Sequence, residues 1–345
     1  MYKKIFMGIA AMAALTLVSC SSDDLNSLSD NSSKNEAISF DGYLGRSAVA
    51  VNGSRGSELD KTALQGLTEG FGVFGNYSSE GTTTVYGKNW FDNEQVTYKT
   101  SAWTYDPVKY WLPKGHIDFL AYAPYDSQYD NQQITKDNQK LDFTVSSTIT
   151  AQKDLLWANA TNKTKTDKTV TFNFNHALAK IGYTVKTNVD AKGGTTITLT
   201  KITLAGSDDG TKEAFYTSGT IDLSKANGAS DLWTNQNGKQ NFTWFNGTQQ
   251  LTGSSVANSN YLFVIPQDFS TTGTDQLYVI VDYTINYNTG VTETMTNKVS
   301  QKLDKKFVQG KAYTINLNIG LTPIEFNAEV TDWDTANGDI PVTWN

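Results

Sequence analysis

The chain has 345 residues with 28 basic and 35 acidic side chains, and its formal charge of −7 favours neither nucleic acid nor an anionic membrane surface as a partner. A single cysteine, Cys20, rules out any disulfide within the chain. Charged residues make up only 18% while Thr, Asn, Gly and Tyr abound, a mix that suits strands and turns and predicts an all-β exported protein.

Lys3 and Lys4 form a basic start, and the apolar run 5–18 is too short to span a bilayer, so residues 1–20 are expected to be a secretory signal peptide. The run ends in Leu17-Val18-Ser19-Cys20, which resembles a bacterial lipobox and marks Cys20 as the lipidation site. Each buried methylene of an acyl chain contributes about 0.8 kcal/mol, so a multiply acylated Cys20 would hold the precursor in its membrane. Residues 21–36, rich in Ser, Asp and Asn, lack the apolar surface to offset their ordering entropy and are expected to be a flexible tether. Ile38, Phe40 and Leu44 then alternate with polar positions and predict a first strand over 37–45. A Gly- and Ser-containing stretch with two arginines, Arg46 and Arg55, follows and has the composition of an exposed, cleavable loop.

Short apolar runs separated by turn residues continue to residue 160, and the only helix expected is a short one over 58–67 with Leu59, Ala63 and Leu67 on one face. The polar segment 162–168 is the expected boundary between two domains, 37–168 and 169–345. Beyond it the alternation is cleaner. Val170, Phe172 and Phe174 share a face, as do Leu277, Val279, Val281, Tyr283, Ile285 and Tyr287. The apolar parity switches between Ile197/Leu199 and Ile202/Leu204, which predicts a β-bulge near Thr200 and Lys201. Many strands at short spacing indicate β-sandwiches.

Trp103-Thr-Tyr-Asp-Pro-Val-Lys-Tyr-Trp111, Phe119-Leu-Ala-Tyr-Ala-Pro124, Asp154-Leu-Leu-Trp-Ala158, Phe172-Asn-Phe-Asn-His-Ala-Leu-Ala-Lys180, Val264-Ile-Pro-Gln267 and Phe307-Val-Gln-Gly-Lys-Ala-Tyr313 stand in the order of landmarks of another group. In them the chain resembles the Bacteroidetes fimbrillin-like proteins, subunits of type V pili, over nearly all of its mature length. The resemblance implies two tandem transthyretin-like β-sandwich domains and a precursor carried to the outer membrane and cell surface as a lipoprotein. It also implies that an arginine-specific protease cuts after the first strand, and that the vacated groove accepts a strand from another fimbrial subunit. On this sequence the removed strand carries Ile38, Phe40 and Leu44, and cleavage falls at Arg55 or Arg46. Two segments near the end have the alternation of a donor strand: Ile324, Phe326 and Val330, and Ile340, Val342 and Trp344. The same segments also read as the last strands of the second domain.

No catalytic, cofactor or metal site is expected. His116 and His176 have no Cys, His or carboxylate neighbour at ligand or triad spacing, and Asp208-Asp209-Gly210 and Asp332-Trp333-Asp334 read as turn acids. Trp233 and Trp244, in a stretch rich in Asn and Gln, are the candidates for an exposed pair that stacks on sugars, the mark of a carbohydrate-binding surface lipoprotein whose partner is a host or bacterial glycan. Asp334-Thr335-Ala336 resembles an acceptor motif for O-glycosylation at Thr335.

Overall fold

A computed structural model describes residues 36–44, 61–79, 90–130, 134, 138–190, 193–227, 229–288, 292–321 and 325–332. The first half contributes β1 (Ser39–Leu44), a single helical turn and a half α1 (Lys61–Gly66), β2 (Phe71–Ser78), β3 (Phe91–Lys99), β4 (Ala102–Thr104), β5 (His116–Ala123), β6 (Lys140–Thr144), β7 (Leu156–Lys163) and β8 (Thr169–His176). The second half contributes β9 (Ala179–Thr187), β10 (Thr196–Ala205), β11 (Phe215–Asp222), β12 (Trp233–Gln240), β13 (Phe242–Gln250), β14 (Val256–Ala257), β15 (Leu262–Val264) and β16 (Gln267–Asp268). It ends with β17 (Tyr278–Asn288), β18 (Thr292–Lys302), β19 (Lys306–Phe307), β20 (Lys311–Ile319) and β21 (Glu325–Asp332). The protein is all-β, as its composition requires.

Strands β1-β8-β7-β5-β2-β3-β4 form one sheet in that order. Its concave core gathers Phe71, Phe91, Phe119, Phe172 and Phe174 with the apolar side chains of β1. On the opposite face of the same strands, Phe74, Leu120, Tyr122 and Trp157 belong to a second core shared with β9 to β20. Strands β2 and β5 are therefore buried on both faces. That is why Phe119-Leu-Ala-Tyr-Ala123 is a continuous apolar run rather than an alternating one.

The remaining sheets run β13-β10-β17-β18, β12-β11-β6 and β14-β9-β20-β21. In the first of these the register of β10 shifts between Leu199 and Lys201, which is the expected bulge. It lets Ile197, Leu199, Ile202 and Leu204 all face the core. The expected helix is present over its described part, but Leu64, not named from the sequence, is its fully buried residue, with Ala63 and Leu67 only partly covered. Two strands bear on the boundary at 168. β8, just after it, lies in the seven-stranded sheet beside β1, and β6, well before it, pairs with β11.

Candidate functional site: a clamped first strand

β1 is short, and burial alternates along it with a period of two. Ile38, Phe40 and Leu44 point inward at 2, 5 and 3% exposure, whereas Tyr43 is 41% exposed. Phe40 is the centre of an aromatic cage, its ring 5.3 to 5.7 Å from those of Tyr105, Phe91, Phe119 and Phe172. Burying each such side chain contributes about 1.5–3 kcal/mol relative to leaving it in water. Between Phe40 and Leu44 the inward position is Gly42, and the reason is space. A Cβ there would stand 3.3 Å from Trp103 Cζ2, 3.4 Å from Phe71 Cε1 and 3.5 Å from Leu64 Cδ2. A methyl fits if Trp103 yields by a few tenths of an ångström, and nothing larger does.

Backbone pairing holds the strand from two directions. β8 runs parallel to it, from Ser39 opposite Thr169 to Leu44 opposite Phe174. Ahead of β1, the segment 105–111 acts as a strap. Ile38 N donates to the Lys109 carbonyl at 2.8 Å, Trp111 N donates to the Glu36 carbonyl at 2.9 Å, and the Tyr105 hydroxyl donates to the Ile38 carbonyl at 2.7 Å. Burial pushes the Tyr105 phenol up to about 12, against the lowering effect of its backbone bond to Lys109, so it remains a donor well above neutral pH. The strap is tied down by Lys109, whose Nζ lies 2.6 Å from Glu94 and 4.5 Å from the centre of the Phe91 ring. The Trp103-to-Trp111 landmark is thus the device that grips the first strand.

β8 runs two residues past the end of β1. Its Asn175 and His176 line a cavity of about 550 Å³ together with Trp233, Asp268, Lys306 and Lys311. His176 continues the inward series Phe172, Phe174, and its Nδ1 lies 2.9 Å from Asp154 Oδ2 with both side chains buried. Sequence spacing gave no hint of this pair because 22 residues separate its members. The available signal was that Asp154 is the one ionisable side chain in an otherwise apolar landmark. His116 lies 3.9 Å from Asp118, also unseen from sequence.

Trp233 and Trp244 are not the exposed pair expected. Each is only 7% exposed. Trp233 Nε1 donates to the Ala177 carbonyl at 2.8 Å and Trp244 Nε1 to the Asn260 carbonyl at 3.1 Å, so both indoles are core residues with their one donor satisfied. The polar stretch around them is the solvent side of β12 and β13, and the tryptophans take the other side. Asp209 is a turn acid: its Oδ1 accepts from Thr211 N at 2.9 Å, and a hydrogen bond from the Ser207 hydroxyl leads the effects that lower its carboxyl to about 2.

Cys20, Arg46, Arg55, Ile324, Trp333, Asp334, Thr335, Ile340, Val342 and Trp344 lie outside the described residues. Phe326 and Val330 lie on β21, opposite Leu317 and Tyr313 of β20. Among the described residues β21 is the edge strand of its sheet, paired on that one side. Among the described residues no helix is long and apolar enough to cross a membrane.

A family model described as fimbrillin-like matches residues 60–333. No curated protein matches the chain. Among solved structures, the chain is similar to a fimbrial protein from Bacteroides vulgatus, at 20% identity over 87% of this chain and 100% of that one, with a TM-score of 0.65. A protein from Bacteroides ovatus described as a candidate cell adhesion protein is 15% identical over 88% and 99% of the two chains, with a TM-score of 0.50. The tip fimbrial protein Mfa3 from Porphyromonas gingivalis is 10% identical over 76% and 94%, with a TM-score of 0.36.

Proposed function

The chain belongs to the fimbrillin-like family, and from that premise we propose that it is a structural subunit or associated adhesin of a surface fimbria, exported as a lipoprotein and assembled by exchange of its first strand. The observation that carries this reading is the position of β1: a six-residue strand that fills the aromatic core and, among the described residues, is paired through β8 and the strap. Its removal would leave a row of open backbone groups beside an exposed apolar cleft, which another extended segment can refill.

One segment of this chain has the matching sequence. Ile38-Ser-Phe40-Asp-Gly42-Tyr-Leu44 and Ile324-Glu-Phe326-Asn-Ala328-Glu-Val330 share the order isoleucine, phenylalanine, small residue, branched aliphatic at the four inward positions. Direction is constrained by Gly42. Run parallel to β8, the segment sets Ala328 at the Gly42 position, where a methyl is the largest group that fits; run the other way, it sets Phe326 there. The alternative segment places Trp344 at that position when Ile340 takes the place of Ile38, and Pro341 lacks a backbone donor for the ladder. Both arguments favour residues 324–330 as donor.

The proposal includes two transthyretin-like sandwiches in tandem, one built on each hydrophobic cluster, lipidation at Cys20 and cleavage at Arg55 or Arg46. Treating the purified precursor with an arginine-specific protease tests it by mass and gel. A compact product beginning at Gly56 or Ser47 that forms ladders on native gels is expected. A chain that stays monomeric after cleavage overturns strand exchange, and Cys20→Ala protein that stays in the membrane fraction overturns the anchor.

A further inference from the structure

The cavity beyond β1 stands at the end of the strand groove and carries chemistry that the inward positions of β1 do not. The face that holds Ile38, Phe40 and Leu44 against Phe172 and Phe174 continues along β8 to His176, which lines the cavity together with Phe174 and Asn175. In a parallel strand, the position two residues beyond the one opposite Phe174 falls opposite His176. An occupant of the groove that extends two residues past the length of β1 therefore sets a residue opposite His176, at a cavity bordered also by Lys306 and Lys311, with Asp268 the one acidic group among its described lining residues. Lys306 lies 3.9 Å from Asp268, and its side chain is 66% exposed.

Counting along the two matching segments identifies that side chain. Leu44 is followed in sequence by Gly45 and Arg46, and Val330 by Thr331 and Asp332. We infer that the cavity is a carboxylate-accepting terminal subsite of the strand groove, and that it takes Asp332 from the 324–332 segment of a second copy of this chain. The inference rests on the strand-exchange reading and deepens it by naming what gives the exchange its preference. Two positions past the last inward residue, the resident sequence carries Arg46 and the incoming one carries Asp332. Within a single copy, Asp332 stands opposite Lys311 in the β20–β21 register. The incoming strand would thus exchange its own Lys311 for that of its partner, and add Lys306.

Charge reversal in the full chain tests the subsite. Lys306 is exposed, so Lys306→Glu leaves the fold intact, and after arginine-specific cleavage this variant should form ladders about tenfold more slowly than the wild type, the effect of one charge-assisted contact. The single variant Asp332→Lys should slow laddering similarly, and the double variant Lys306→Glu/Asp332→Lys should recover most of the rate at low salt. Equal rates for wild type and both single variants overturn the subsite while leaving strand exchange standing. Slow laddering in both single variants with no recovery in the double variant also overturns it. A wild type that never ladders overturns strand exchange, and the subsite with it.

Discussion

The first and last described strands carry similar apolar residues at alternate positions and are paired in very different ways. β1 sits in an aromatic cage, closed by Trp103 above Gly42 and gripped through three strap hydrogen bonds. Among the described residues β21 lies at the edge of a sheet, laddered to β20. The groove thus holds a strand of this pattern tightly, while the strand proposed to replace it has a single neighbour among the described residues. An edge strand is ordinarily a hazard that proteins blunt. Here Glu325, Glu329 and Asp332 supply charge along it, which discourages uncontrolled pairing while the Ile324-Phe326-Ala328-Val330 series is kept.

Three substitutions sharpen this contrast, in descending order of expected effect. Phe40→Ala empties the centre of the cage and should lower stability by about 3–5 kcal/mol in urea unfolding, the cost of a large core cavity. A much smaller loss would mean that β1 is not integral to that core. Ala328→Leu should abolish laddering after cleavage because the Gly42 position has no room for it. Ladders formed at the wild-type rate would break the proposed register. Tyr105→Phe removes one strap bond and should cost about 1 kcal/mol. It should also change the alkaline limb. With the folded phenol pushed up to about 12 and the unfolded one near its ordinary value, the contribution is present below pH 10 and is lost as pH rises towards 12. The wild type should therefore lose stability over that window more steeply than the variant, as followed by unfolding midpoints at stepped pH.

Much of the fold could be read in the chain because its inward positions repeat every second residue, as at Val170, Phe172 and Phe174, and because a parity switch such as that of β10 has one simple structural meaning. The reading was weaker where burial is two-sided. In β2 and β5 no polar face remains to betray the period, so the sharing of one sheet between two cores went unseen. Polar flanks misled at Trp233 and Trp244, since Asn- and Gln-rich strands can bury alternate positions as fully as apolar ones. Ile38, Phe40 and Leu44 were legible as one face of a strand. The strap that grips them was not, because hydrogen bonds between Tyr105, Lys109 or Trp111 and residues about 70 positions earlier leave no local pattern, and neither does the His176–Asp154 pair beside the cavity.

The central claim is that residues 324–330 of one copy replace β1 of another and run parallel to β8. Tyr43 faces solvent opposite Asn173, and Glu329 occupies the Tyr43 position in the proposed register. Glu325 would occupy it if the donor ran in the opposite direction. In a Cys20→Ser background, one copy with Asn173→Cys is mixed with a second carrying Glu329→Cys or Glu325→Cys, cleaved with an arginine-specific protease and oxidised mildly. Neighbouring strands bring directly opposed Cα atoms within disulfide range. The account predicts a disulfide-linked pair through Glu329→Cys and little through Glu325→Cys. A link through Glu325→Cys, or through neither while ladders form, would contradict it.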